Sequence, residues 1–178
     1  SYSGLASVGQ TAGDSVLSSG YTFALGFVRA MTDSYVGPTW YVSTTGNDSF
    51  GNGSVTNPFR TIPRAHTASA AGDTISIAAG TYSERITITK NNIKLIGTDS
   101  SVAGTILDGG DSSSGSGYQC ISATGVSGLL IRNLRIRNYY TGVNWVSVTN
   151  SRIDSVTVEY NGLNGIYICL GSGNIVAQ

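Results

Sequence analysis

The chain has 178 residues, of which 11% are charged, and its ten basic and ten acidic residues cancel. This balance leaves no electrostatic footprint for nucleic acid or an anionic membrane surface, and the sequence has no run of about 18 apolar residues that could span a bilayer. Because the chain also carries 24 glycines, its composition is typical of exported β proteins, and we expect an extracellular or cell-surface location.

The first predicted element is an N-terminal β arm over residues 1–37. Apolar and polar residues alternate from position 21 to position 27, which is the pattern of a strand with one apolar face. The apolar side chains of this face are Tyr21, Phe23, Leu25 and Phe27. We expect the arm to act as a donor strand for another copy of the chain.

A short cap helix is predicted next, near residues 62–70. Thr61 is a suitable N-cap, Pro63 is tolerated in the first turn, and Ile62 with Ala65 begins a small apolar face. A solenoid needs such a cover, because an uncovered edge strand pairs with other chains.

Several short segments around this helix resemble one known superfamily. They are Trp40-Tyr-Val-Ser, Gly46-Asn-Asp48, Asn57-Pro-Phe59, Gly72-Asp-Thr-Ile75, Gly80-Thr-Tyr82, Ile86-Thr-Ile88 and Ile93-Lys-Leu-Ile-Gly97. In this order they resemble the N-terminal cap and first coils of pectin-lyase-like parallel β-helix proteins, and the resemblance covers residues 39–178. It implies an all-β, right-handed parallel β-helix. The superfamily contains polysaccharide lyases and hydrolases as well as surface and adhesin-like proteins, so the likeness predicts a fold more sharply than an activity.

The C-terminal third repeats itself about every 22 residues, a period that fits a coil of three short strands and three turns. The repeating apolar columns are Ile131, Ile153 and Ile175; Val126, Val148 and Leu170; Leu134 and Val156; Ile136 and Val158. Period-two alternation inside each unit indicates strands. We therefore predict a β-helix domain of four to five coils over residues 38–178.

Opposite charges also recur one coil apart. Asp154 follows Arg132 by one repeat, and Glu159 follows Arg137 by one repeat. Each of them lies one position from a core residue, so we expect two ion pairs between coils on the outer face. The alternative interpretation is a substrate-binding basic strip of Arg132, Arg135 and Arg137.

The sequence predicts no catalytic centre, metal site or cofactor. The lyases that the chain resembles bind Ca²⁺ through several carboxylates, but the acidic residues here do not cluster at coil spacing. We expect His66 to have a surface or cap-packing role. Tyr139 and Tyr140 are interpreted as exposed turn residues, with a platform for sugars as the alternative. Cys120 and Cys169 are more than two repeats apart, which is too far for a disulfide in stacked coils, so free thiols are expected.

Leu170 and Ile175 belong to the last coil of the sequence, and no cap helix, proline or charged edge follows them. We therefore expect an extracellular structural protein that polymerises with copies of itself, head to tail, through its N-terminal arm and this open coil. Two alternatives stay open, a fragment of a polysaccharide lyase or hydrolase and a carbohydrate-binding adhesin module.

Overall fold

The computed structural model describes residues 38–111 and 117–177. The predicted N-terminal arm, with Tyr21, Phe23, Leu25 and Phe27, lies outside these described residues. The described part contains one helix, α1 (Ile62–Ala68), and strands β1 to β12. The strands are β1 (Thr39–Val42), β2 (Thr74–Ile77), β3 (Gly80–Tyr82), β4 (Ile86–Ile88), β5 (Lys94–Ile96), β6 (Thr105–Asp108), β7 (Gln119–Thr124), β8 (Leu130–Arg137), β9 (Thr141–Val146), β10 (Arg152–Glu159), β11 (Asn164–Cys169) and β12 (Ile175–Ala177).

The paired strands run parallel to each other, and they form two sheets. We call the larger one the first sheet; its main order is β1-β2-β5-β8-β10-β12, with β3 and β6 beside it. The second sheet has the order β4-β7-β9-β11. From β2 to β11, each turn of the chain adds a strand to both sheets, so the all-β parallel β-helix is confirmed.

The length of a coil varies more than the repeat predicts. Thr74 pairs with Lys94, and Lys94 pairs with Leu130, so the second of these coils is nearly twice as long as the first. The following step, from Leu130 to Arg152, has the length of the predicted repeat, and the last, from Arg152 to Ile175, is one residue longer. The extra residues of the long coil fall in the turns after β5 and β6, so the strands still stack.

The interior is filled by columns of large apolar side chains. The main column of the first sheet consists of Trp40, Ile75, Leu95, Ile131, Ile153 and Val176, one residue from each coil. The first five are at most 8% exposed. Burial of such side chains stabilises the fold by about 1.5–3 kcal/mol each.

Ile175 and Leu170 do not continue these columns, so their predicted ladder positions are wrong. Ile175 lies opposite Arg152, and Val176 takes the place above Ile153. Leu170 has a φ of +57°, the left-handed turn conformation that Ser147 adopts one coil earlier. The physical reason is one additional residue between β10 and β11, which shifts the rest of the last coil by one position.

The cap forms as predicted at its N-terminus. The Thr61 hydroxyl accepts a hydrogen bond from the backbone N–H of Arg64, and Pro63 lies in the first turn of α1. The helix ends at Ala68, two residues before the predicted boundary. Among the described residues, no helix has the length and apolarity needed to cross a membrane.

Candidate functional site: a polar row on the second sheet

Charges on the outer face of the first sheet form ion pairs between coils. Arg132 places Nη2 at 2.7 Å and Nε at 3.0 Å from Asp154 Oδ2, as their spacing predicts. The expected pair of Arg137 with Glu159 is not formed, although the two residues are neighbours in register. Arg137 Nε instead lies 2.9 Å from Asp108 Oδ2, on the preceding coil.

Glu159 pairs with Arg135 instead, through two charge-assisted hydrogen bonds of 2.9 Å. Arg135 and Glu159 are diagonal neighbours on one face, a distance that long side chains can bridge. Arg137 therefore pairs with Asp108. The Asp108 carboxylate also accepts hydrogen bonds from Asn138 Nδ2 and the Gly110 N–H.

These pairings decide against the basic strip. Arg132, Arg135 and Arg137 each contact a carboxylate, so the face presents paired charges. Burial alone would raise the pKa of Asp108, but hydrogen bonds from Asn138, Gly110 and Arg137 hold it below its usual value of 3.8. The hydrogen bond from Arg132 likewise lowers the pKa of Asp154.

His66 is part of the cap. It is 6% exposed, and its Nε2 accepts the backbone N–H of Thr89 at 3.1 Å. Lys90 Nζ donates to the carbonyl groups of His66, Thr67 and Ser69 at the C-terminal end of α1. Burial, and then the charge of Lys90, lower the pKa of His66. This histidine therefore fastens α1 to the first coil.

Tyr139 is neither an exposed turn residue nor a platform for sugars. It is 1% exposed, stacks on Tyr118 with ring centroids 5.7 Å apart, and donates its hydroxyl to the carbonyl of Glu84 at 2.7 Å. Tyr140, the next residue, is partly exposed. The sequence-based interpretation of Tyr139 fails because this turn folds inward, over the buried Cys120 thiol.

A different surface, the outer face of the second sheet, carries hydrogen-bonding groups that remain available to a ligand. Thr87, Ser122, Asn144 and Tyr167 occupy one register position on successive coils, and we call them the polar row. Residues on either side of each of them point inward, as Ile121 and Ala123 do beside Ser122. The row therefore runs along the axis of the solenoid with one side chain per coil.

The polar row is preorganised by its own hydrogen bonds. Ser122 Oγ donates to Thr87 Oγ1 at 3.2 Å, and Asn144 Nδ2 donates to Gln119 Oε1 at 2.9 Å. These bonds leave the Asn144 carbonyl oxygen as an acceptor and the Gln119 amide as a donor. Tyr167, which is 43% exposed, adds an aromatic ring at the far end.

A groove adjoins the first end of the row, between α1 and the second sheet. Its volume is about 570 Å³, and its lining includes Pro63, Glu84, Arg85, Thr87, Gln119 and Ser122. The Arg85 guanidinium lies 5.4 Å from the centre of the Tyr118 ring and donates to the Gly117 carbonyl. A second groove, lined by His66, Thr89 and Lys90, shares Pro63, Arg85 and Thr87 with the first.

Glu84 is the carboxylate of the first groove, which adjoins the polar row. Burial, reinforced by the charge of Asp48, raises the pKa of Glu84 to about 7, although the Ile62 N–H donates to its Oε2 at 2.8 Å and opposes the shift. Glu84 and Asp48 both bind the N-terminal region of α1, since Asp48 accepts from Arg60 and Thr61. We assign both carboxylates to the cap.

The cysteines and acidic residues form no metal centre in the described ranges, where no group of three or more metal-binding side chains occurs. Cys120 and Cys169 are free thiols, and burial raises the pKa of Cys120. Cys169 lies on the outer face beside Val146 and contacts Tyr167.

The last coil exposes large apolar side chains. They are Tyr160, Leu163, Tyr167, Leu170, Ile175 and Val176. Leu170 is 80% exposed and Ile175 is 51% exposed, whereas Val126 and Ile131, their predicted counterparts two coils earlier, are buried. The predicted interface residues of this coil are thus accessible.

The recurrence of charged residues in the sequence does not indicate the polar row, because all four of its members are uncharged. Ser122 and Asn144 are separated by one repeat, and Asn144 and Tyr167 by one repeat and the inserted residue. The 22-residue spacing of Ser122 and Asn144, each flanked by core residues, is the signal in the sequence that indicates these two members of the row.

Comparisons with known proteins agree with this architecture. The model of a family described only as a protein of unknown function, DUF1565, matches residues 44–89, which contain most of the cap and the first coil. No curated protein matches the chain.

Two solved structures are similar to the chain. One is a pectin methylesterase mutant in complex with a hexasaccharide, with a TM-score of 0.53 and 22% identity over 78% of this chain and 49% of that one. The other is a rhamnogalacturonan lyase, with a TM-score of 0.47 and 18% identity over 79% of this chain and 50% of that one. The chain spans about half the length of these proteins. The likeness to the first of these structures confirms the predicted parallel β-helix fold.

Proposed function

We propose that the chain is a polysaccharide-binding β-helix module of an extracellular protein, and that it binds its ligand on the outer face of the second sheet. The observation that carries this proposal is the polar row, where Asn144, Gln119 and Tyr167 present an acceptor, a donor and an aromatic ring to solvent. Sugar-binding sites need few but well-placed polar groups beside an apolar surface.

The groove beside α1 supports the same proposal. It extends the row toward the cap, and Thr87, Gln119 and Ser122 are part of its lining. The structure of the pectin methylesterase was solved with a hexasaccharide, and that protein shares the fold. We propose binding rather than catalysis because Asp108, Asp154 and Glu159 are each paired with an arginine. Glu84, the carboxylate of the groove, is bound to the cap.

Binding to a panel of polysaccharides tests the proposal. We expect retardation of the purified chain in affinity gels that contain an acidic or a neutral plant polysaccharide, and loss of retardation in the double variant Asn144→Ala with Tyr167→Ala. The matched control is Tyr160→Ala, which removes another exposed tyrosine of the same coil, 74% exposed but outside the row. Equal retardation of all three proteins, or retardation of none, would refute binding at this face.

Head-to-tail self-assembly is the second candidate, and the last coil favours it. Val156 and Val158 are partly exposed there, while Leu134 and Ile136, which they cover on the preceding coil, are fully buried. A neighbouring copy that covered these positions would gain about 25 cal/mol for each Å² of apolar surface removed from water. We infer that residues 1–37 donate the covering strand.

Sedimentation velocity over a range of concentrations tests assembly. We expect species larger than the 18.4 kDa monomer, and their loss in Val158→Asp or on deletion of residues 1–37. Thr157→Asp, which places the same charge on the outer face of the same strand, is the control. A monomer at every concentration would exclude self-assembly without affecting the proposal of sugar binding.

A further inference from the structure

We propose that the ligand of the polar row is an uncharged, extended polysaccharide that lies parallel to the solenoid axis, with one sugar per coil. This inference rests on the proposed sugar-binding function and specifies its ligand class. Three features of the second sheet carry it: the charge of its strands, the spacing of the row and the position of its aromatic residue.

The strands of the second sheet carry no charge. The sequences of β4, β7, β9 and β11 contain no Asp, Glu, Lys or Arg, whereas β8 and β10 together contain six such residues. A polyanionic ligand binds where cations meet its charges, as arginines do for carboxylates. Arg85 lines the groove, but its guanidinium already lies over the Tyr118 ring and donates to a backbone carbonyl. The row itself offers hydroxyl and amide groups, which match the hydroxyl groups of a neutral sugar.

The spacing of the row sets the direction of the ligand. Neighbouring parallel strands are about 4.8 Å apart, so Thr87, Ser122, Asn144 and Tyr167 repeat at that interval along the axis. A pyranose unit in an extended chain has a comparable length, so each coil meets one sugar. A chain laid across the coils would meet the row only once.

Tyr167 fixes one end of the bound chain. Its ring is 43% exposed, and the row continues from it through Asn144 to the hydroxyl pair of Ser122 and Thr87. The apolar face of a sugar ring packs on such an aromatic side chain, while the Asn144–Gln119 amide pair meets the hydroxyl groups of the next sugar. Because these amides are already held by each other, little side-chain entropy is lost when the ligand binds.

Isothermal titration calorimetry with three hexasaccharides of different chemistry tests the inference. The probes are cellohexaose, xylohexaose and hexagalacturonate, titrated into the whole chain at about 0.05 M and about 0.5 M NaCl. We expect at least one neutral hexasaccharide to bind with an affinity that does not change with salt. Tyr167→Ala should weaken it roughly tenfold, which corresponds to about 1.4 kcal/mol. Tyr160→Ala should leave it unchanged, and both variants should keep the thermal unfolding midpoint of the parent.

The possible results separate the two proposals. Binding of hexagalacturonate alone, weakened by salt, would overturn the inference and leave the sugar-binding function intact. Binding of a neutral hexasaccharide that is unaffected by Tyr167→Ala and Asn144→Ala would overturn the location and direction. A shorter probe, cellobiose, tests the register: if it binds as tightly as cellohexaose, one sugar per coil is wrong. No heat with any probe would refute the function and the inference together.

Discussion

The outer faces of the two sheets are built by the same coils but differ in chemistry. On the first sheet, Arg132, Arg135 and Arg137 each contact a carboxylate from an adjacent coil. On the second sheet, the equivalent outward positions hold Ser122 and Asn144, whose hydrogen bonds join only uncharged groups. One face satisfies its polar groups within the protein, and the other leaves part of its hydrogen-bonding capacity to the solvent.

This difference indicates a division of roles. Ion pairs between coils favour the observed register of neighbouring strands, because opposite charges on adjacent strands attract each other. The uncharged face contributes less to cohesion, so its side chains are available for a ligand. Changes on the first face should therefore alter stability, and changes on the second should alter binding.

The largest effect on stability is expected from Arg135→Ala. The Arg135 and Glu159 side chains are only 17% and 23% exposed, and the variant leaves the Glu159 carboxylate without its two charge-assisted hydrogen bonds. We expect a loss of about 1–3 kcal/mol in the free energy of unfolding, measured by urea denaturation. Arg152→Ala, which removes a longer 3.5 Å contact with Asp154, is the control and should cost less. Equal losses would show that the pairing on this face is not specific.

The pH dependence of stability should separate Asp108, on the first sheet, from Glu84, in the cap. The pKa of Glu84, in the groove, is raised from 4.5 to about 7, so its ionisation disfavours the folded state, and stability should fall as the pH rises from 4.5 to 7. The pKa of Asp108 is lowered, so the stability that it contributes should be lost as the pH falls below 3.8. Thermal unfolding midpoints across this range check both slopes.

Glu84→Gln is the variant for this test. It keeps an oxygen acceptor for the Ile62 N–H and removes the charge, so the slope between pH 4.5 and 7 should flatten while the loss below pH 3.8 stays. An unchanged slope would assign the pH dependence to other groups.

A smaller effect is expected from Arg132→Ala. This side chain is 44% exposed, so water and salt screen its contact with Asp154. We expect the free energy of unfolding to fall by roughly half, or less, of the loss in Arg135→Ala. The difference in this free energy between the variant and the parent should shrink as the NaCl concentration is raised. A loss that persists at high salt would mean that Arg132 acts through packing of its aliphatic stem.

The smallest effect on stability is expected from Ser122→Ala, on the second sheet. Its hydroxyl bond to Thr87 is exposed, so the free energy of unfolding should change by less than about 0.5 kcal/mol. The affinity for a hexasaccharide should nevertheless fall, because a member of the polar row is lost. A clear destabilisation with unchanged affinity would reverse the roles that we assign to the two faces.

The sequence predicted most where the coils are regular. The repeat placed Ile131 beneath Ile153 and Arg132 beside Asp154, because no insertion separates those coils. It failed for Ile175, since one residue is added before β11 and every later residue shifts.

Competition between two carboxylates for one arginine also limited what the sequence could predict. Arg137 was assigned to Glu159 by spacing, but Asp108 reaches it from a preceding coil whose greater length hides the register. The polar row was harder still to predict, because hydroxyl and amide residues are common on solvated strands. Only the stacking of four of them at one register position distinguishes the row.

The uneven coil lengths have one further consequence. The long coil that begins at β5 stacks on the short one that begins at β2, because the additional chain leaves the stack at the turns. Residues can therefore be gained or lost at those corners while the intervals along the second sheet stay constant. The face on which we propose that a polysaccharide binds therefore keeps its spacing when those loops change in length.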